Sequence, residues 1–161
     1  MRVILPEEWL LDGYNLIHEI SPAGNRNSKK SESFLIHFIS RLAGFAAFTA
    51  GRKLNLVLDG KTHPKEWDSF CTDRLGIVSS GEITADSYIE RFLCKNKNEL
   101  LMTVVTKDRA IIQMARGSGA RTMEPKEFER LMSEAEKENS DLLFRQKVKS
   151  HGFHRPFHDK L

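Results

Sequence analysis

The chain has 161 residues, 40% of them hydrophobic and 29% charged, with a formal net charge of +3. That length and balance fit one soluble domain with a real core. No apolar run approaches the ~18 residues of a membrane span, and Met1–Pro6, followed at once by Glu7 and Glu8, is too short for a secretory leader. Cys71 and Cys94 stand apart, with no CxxC and no Cys/His cluster, and read as buried or half-buried thiols. A cytoplasmic protein is expected.

Short strand-like runs alternate with helical periods, which argues for a parallel α/β chain. A first strand is expected at about 8–12, then a helical turn at Asn15–Glu19 and a polar loop, Ser21–Lys30, rich in turn formers. Phe34, Leu35, Phe38, Ile39, Leu42, Phe45 and Ala46 recur at three- and four-residue steps. They predict a helix from about Ser31 to Ala50, with Gly51 as its stop. Leu54–Leu58 reads as a strand covered on both faces, and Gly60–Asp68 as a polar loop containing Pro64.

A third strand is predicted at Leu75–Ser79, broken by Gly81. Thr84 is a good N-cap for a helix to about Lys95 that buries Ala85, Ile89, Phe92 and Leu93. Leu100–Thr106 gives a fourth strand, and Asp108–Arg116 a helix turning Ile111, Ile112 and Ala115 inward. Gly117 and Gly119 end it, before a short strand at Arg121–Met123. Pro125 suits the first turn of a helix with Phe128, Leu131, Met132 and Ala135 on one apolar face. That helix either continues or breaks near Asn139-Ser140 and restarts through Leu142–Val148. The expected organisation is one domain over residues 1–150 and a basic, flexible tail over 151–161.

Four aspartates carry the functional signal. Asp12 and Asp59 each close an apolar run, Asp108 follows Thr103–Thr106 and Lys107, and Asp86 opens a helix. In an open parallel sheet, ligands gather beyond the carboxyl ends of the strands, near the switch in strand order. All four acids fall at that edge, and Glu90 lies one helical turn beyond Asp86. Carboxylates packed together repel and desolvate each other; a divalent cation relieves this, and Mg²⁺ or Mn²⁺ prefers such hard oxygen donors. With two ions ~3.5–4 Å apart, such a site stabilises both the entering and leaving oxygens of a phosphodiester. Asn15, one short turn past Asp12, can orient a water or a phosphate, and Thr106 can donate to a carboxylate or phosphate. Lys107 and Lys61 each neighbour an acid and are candidates to hold substrate phosphates.

Each residue also has a plainer reading. Asp12 and Asp59 precede glycines and suit turns, Asp86 suits the positive end of a helix, and Asp108 suits a helix cap. Glu90 suits a solvated helix face. Charge is uneven: residues 145–161 hold Arg145, Lys147, Lys149, Arg155 and Lys160 against Asp159, and Ser21–Ser33 holds Arg26, Lys29 and Lys30 against Glu32. Both stretches read as phosphate contacts or as solvated charge. The tail interleaves His151, His154 and His158 with Phe153 and Phe157, a solvated segment or an RNA-stacking one. His18, His37 and His63 lack metal-like spacing. There is no P-loop, so no nucleotide cofactor is expected, and no G-x-S-x-G elbow.

The stretch Leu10-Leu11-Asp12-Gly13-Tyr14-Asn15-Leu16-Ile17 resembles the opening motif of NYN domains, nucleases related to PIN domains. Gly81-Glu82-Ile83-Thr84-Ala85-Asp86-Ser87-Tyr88-Ile89-Glu90 looks like the signature of their YacP-like branch, and Val104-Val105-Thr106-Lys107-Asp108 matches the third acidic strand end. The likeness covers roughly residues 8–137. It implies a three-layer PIN-like α/β fold, its central and mainly parallel sheet flanked by helices. It also implies a metal-dependent endoribonuclease using Mg²⁺ or Mn²⁺ on single-stranded RNA, including mRNA or ribosome-associated RNA. Asp12, Asp86 and Asp108 would be the core acids, with Asn15 and Asp59 in support. Lys107 departs from the small hydroxyl residue of many relatives, and Thr62–Leu75 and the tail after Ser140 match nothing placed.

Two rivals remain. One is a non-catalytic RNA- or ribosome-binding module with the same fold, though such a binder has little reason to gather negative charge where phosphates dock. The other is an acid-cluster phosphatase, which commonly needs a second Asp two residues after the first; Tyr14 stands there. The sequence leaves the RNA target and the oligomeric state open.

Overall fold

The computed structural model describes residues 7–20, 28–98 and 101–150. Arg26, most of the loop before it and the tail 151–161 lie outside the described residues. Five parallel strands form one sheet in the order β3-β2-β1-β4-β5: β1 Glu7–Asp12, β2 Arg52–Leu58, β3 Leu75–Ser79, β4 Leu101–Val105 and β5 Arg121–Met123. The helices are α1 Gly13–Ile20, α2 Ser28–Phe48, α3 Ala85–Lys95, α4 Arg109–Gly117 and α5 Pro125–Ser150. The chain runs outward from β1 to β3, then returns to the other side of β1 for β4 and β5, so the order reverses between β1 and β4. This is the three-layer α/β fold expected.

Side-chain alternation at a period of two splits the central strands between two cores. Trp9, Leu11, Leu54, Leu56, Leu58 and Val105 face one layer, with Leu16 of α1, Phe38 and Leu42 of α2, and Phe128 and Met132 of α5. Leu10, Val57, Met102 and Val104 face the other, with Ile89 of α3 and Ile111 of α4. Burial on both faces explains why these strands read as continuous apolar runs. Asn55 is buried mid-strand; its amide donates to Glu8 Oε2 at 2.6 Å and to the Trp9 carbonyl at 3.1 Å, so its polarity is satisfied.

Several expectations are corrected. Helix α2 begins at Ser28, so Lys29 and Lys30 stand in its first turn and not in a loop. Helix α1 starts at Gly13 rather than Asn15. The polar loop after β2 folds into a 3₁₀ turn, Lys65–Phe70, because Trp67 finds an apolar seat against α2 and is buried there. Phe92 and Ile112, expected inward, are only partly buried. Of the two alternatives left for the last helix, the first holds: α5 continues unbroken through Asn139-Ser140. No Gly or Pro interrupts it, and Asn and Ser in a helix interior cost only tenths of a kcal/mol each (roughly). Cys71 is half-buried as expected, whereas Cys94 is exposed; both are free. Among the described residues no helix is long and apolar enough to cross a membrane.

Candidate active site

Asp12 ends β1 beside the reversal in strand order between β1 and β4, the place where open parallel sheets bind ligands. It is buried, as is Thr106, the first residue beyond β4. The Thr106 hydroxyl donates to Asp12 Oδ2 at 2.9 Å and accepts from the Asp108 N–H at 3.1 Å. One hydroxyl thus ties two of the acids to one strand end. Asp108 caps α4, its Oδ1 accepting from the N–H groups of Ala110 at 2.9 Å and Ile111 at 3.3 Å.

On the β2 side, the site is built from the end of β2 and the start of α3. Asp59 Oδ1 accepts from the Ala85 N–H at 2.6 Å, joining the end of β2 to the start of α3. Gly60 follows at φ +118°, a conformation L side chains rarely adopt. Its N–H donates to Ser80 Oγ at 3.3 Å and its carbonyl accepts from the Gly81 N–H at 2.8 Å. The Thr84 side chain caps α3 by accepting from the Ser87 N–H, as expected. Asp86 lies in the first turn, exposed, with no hydrogen bond to its carboxylate among the described residues. Glu90 is exposed one turn further on.

Asp12 and Asp86 feel the charges of the other acids. Burial, and then the charges of Asp86, Asp108 and Asp59, push the Asp12 carboxyl up to about 6 against the pull of the Thr106 hydrogen bond. Burial, then Asp108 and Asp59, raise Asp86 as well. Among the described residues, no three Asp, Glu, His or Cys side chains close on one metal position. Each acid keeps at least one oxygen with no protein hydrogen-bond partner, so the donor set suits a hard cation that retains waters.

Asn15 stands one turn into α1, and its Oδ1 accepts the Lys107 N–H at 2.9 Å. It therefore clamps α1 to the β4–α4 loop and keeps its amide NH₂ for a ligand. The two candidate lysines are paired. Lys107 Nζ lies 3.3 Å from Glu19 Oε2, and Lys61 Nζ lies 3.3 Å from Glu82 Oε1. Glu19 and Glu82 were missed from the sequence, although Glu19 sits four residues after Asn15 on the same helix face. A third missed contact is His63. Its Nδ1 lies 2.7 Å from Ser79 Oγ, its Nε2 2.7 Å from Asp68 Oδ1, and its ring stacks on Trp67. This clip fixes the loop that follows Asp59 to the end of β3; nothing in the spacing of these residues signals it.

Comparison with known proteins agrees with this fold. The fold is similar to the crystal structure of Rae1 (YacP) from Bacillus subtilis, with a TM-score of 0.73 at 19% identity, covering 94% of this chain and 88% of that one. A single-substitution mutant of that protein gives a TM-score of 0.70 at 22% identity, over 89% and 84%. No curated protein sequence matches the chain. The family model for the YacP-like NYN domain matches residues 9–160, all four aspartates included. The chain belongs to the YacP-like NYN domain family, a group of PIN-like nuclease domains.

Proposed function

We propose that the protein is a metal-dependent endoribonuclease that hydrolyses phosphodiester bonds in single-stranded RNA, mRNA or ribosome-associated RNA, in the cytoplasm. The observation that carries this reading is the Asp12 carboxyl, buried at the switch point of a parallel sheet and raised by that burial and then by the charges of Asp86, Asp108 and Asp59. A fold has no structural need for such repulsion, and a site that binds cations does. Asp12, Asp86 and Asp108 would hold Mg²⁺ or Mn²⁺, with Asp59 assisting. When bound, the cation supplies a neutralising charge, an acidified water and polarisation of the phosphoryl group.

The chain's own residues do the rest. Thr106 fixes the Asp12 rotamer, and the α4 cap fixes Asp108. The Asn15 amide is free to donate to a phosphate oxygen or to the attacking water. Lys61 and Lys107 sit in exposed ion pairs, worth about 0–1 kcal/mol, so exchange of Glu82 or Glu19 for a phosphate costs little. Lys29 and Lys30 on α2, and Arg26, would guide the strand electrostatically.

The test is RNA cleavage with and without Mg²⁺, alongside Asp12→Asn and Asp86→Asn. Loss of cleavage by two or more orders of magnitude in both is expected. Unchanged cleavage in both variants sinks the assignment. RNA binding with no metal-dependent cleavage in the intact protein would favour the non-catalytic module instead.

A further inference from the structure

We propose that Tyr14 and His18 form a stacking platform for unpaired RNA bases beside the acids, an inference that rests on the nuclease reading above. Helix α1 divides into three faces. Leu16, Ile17 and Ile20 pack into the core. Asn15 and Glu19 are held to the β4–α4 loop through Lys107. Tyr14 and His18, four residues apart on the remaining side, are exposed, Tyr14 at 51%.

The helix cannot shift to bury them. A Cβ at Gly13 would meet the Val57 carbonyl oxygen at 2.7 Å, so α1 starts in direct contact with β2. The Asn15 clamp fixes its second side. Tyr14 is therefore a large exposed side chain on a fixed stretch of backbone, two residues beyond Asp12 at the same end of the sheet. His18 stands about 6 Å further along the axis, more than the ~3.4 Å rise of a stacked strand, so adjacent bases reach the two rings only when unstacked from each other.

An aromatic ring offers a base a π-face whatever its identity, and unstacked bases are what single-stranded RNA presents. A nucleotide next to the scissile phosphate would lay its base on Tyr14, with its neighbour within reach of His18. A duplex, its bases already stacked on each other, would gain nothing there. The platform thus selects for unpaired strands while leaving base sequence largely unread.

The test uses the full chain in Mg²⁺ with a phosphorothioate-protected single-stranded RNA carrying 2-aminopurine at successive positions. We expect one position to be quenched on binding. Tyr14→Leu should abolish that quenching and weaken binding by roughly fivefold to a hundredfold, while Tyr14→Phe retains both. His18→Leu should weaken the signal one position away. An RNA lacking the base at the quenched position should bind wild type and Tyr14→Leu alike, an equality that a merely structural role for Tyr14 would not produce. Wild-type quenching and affinity in Tyr14→Leu, loss in Tyr14→Phe equal to that in Tyr14→Leu, or no binding of single-stranded RNA overturns the inference. Cleavage of unprotected RNA by the wild type, run in parallel, reads the nuclease assignment separately.

Discussion

Replacing Asp12 with Asn should stabilise the metal-free protein by an amount that grows between pH 3.8 and about 6 and is full above that. Asp12 is 7% exposed and its carboxyl is pushed from the ordinary 3.8 up to about 6, first by burial and then by Asp86, Asp108 and Asp59. The folded state therefore holds the Asp12 proton more tightly than the unfolded state. Below pH 3.8 the group is neutral in both states; as pH rises through about 6 the folded protein must ionise it at a cost. A shift of about two units corresponds to about 3 kcal/mol, which is the stability lost above pH 6 because of this one group. Asn is nearly isosteric, stays neutral and still accepts from the Thr106 hydroxyl. Urea unfolding in EDTA should show Asp12→Asn close to wild type near pH 4 and more stable by up to about 3 kcal/mol at pH 8. Mg²⁺ should close that gap by stabilising only the wild type. A variant that is less stable than wild type at pH 8, or a difference that does not change with pH, refutes the reasoning.

The remaining predictions concern the groups that hold the site. Thr106→Val removes the donor to Asp12 and the acceptor of the Asp108 N–H, and should cost about 2–4 kcal/mol in urea unfolding, with Thr106→Ser restoring most of it. The same Thr106→Val change removes the one contact that lowers Asp12, so an acid limb of cleavage set by Asp12 should move to higher pH. Gly13→Ala should cost about 1–3 kcal/mol with the urea m-value unchanged, because the Val57 carbonyl cannot yield to a new Cβ. Trp67→Ala should cost about 3–5 kcal/mol by thermal unfolding, since Trp67 closes the core under a loop that otherwise reads as polar.

The site was legible where chemistry coincided with a change in periodicity. Asp12 and Asp59 stand out because each ends an apolar run buried on both faces, and β3 and β5 were placed to the residue because turn formers flank them. Thr84 was readable as a cap because the pattern it starts is strongly amphipathic. What escaped was whatever depends on a partner far away in sequence. A single Trp67 in a polar run has no period, so its burial against α2 leaves no trace. The His63 clip joins residues 16 and 5 positions apart, and the pairing of Lys107 with Glu19 spans 88. The distal half of α5 escaped for the opposite reason: it is mostly exposed, so no buried stripe marks its continuation.

The plain readings of the acids also proved compatible with the functional one. Asp108 does cap α4, and Asp59 does hold the first N–H of α3. A cap uses one carboxylate oxygen and leaves the other, so structural and ligating roles need not compete. The helix N-terminus also brings a partial positive charge, worth about 0.3–1 kcal/mol per anion, to a place where anions must be crowded. In the proposed metal site the caps would therefore offset part of the repulsion among the acids with or without a cation. Asp86 alone has no hydrogen bond fixing its carboxylate among the described residues, and it is exposed. In the proposed site it would therefore be the carboxylate able to change rotamer toward a cation without moving the backbone.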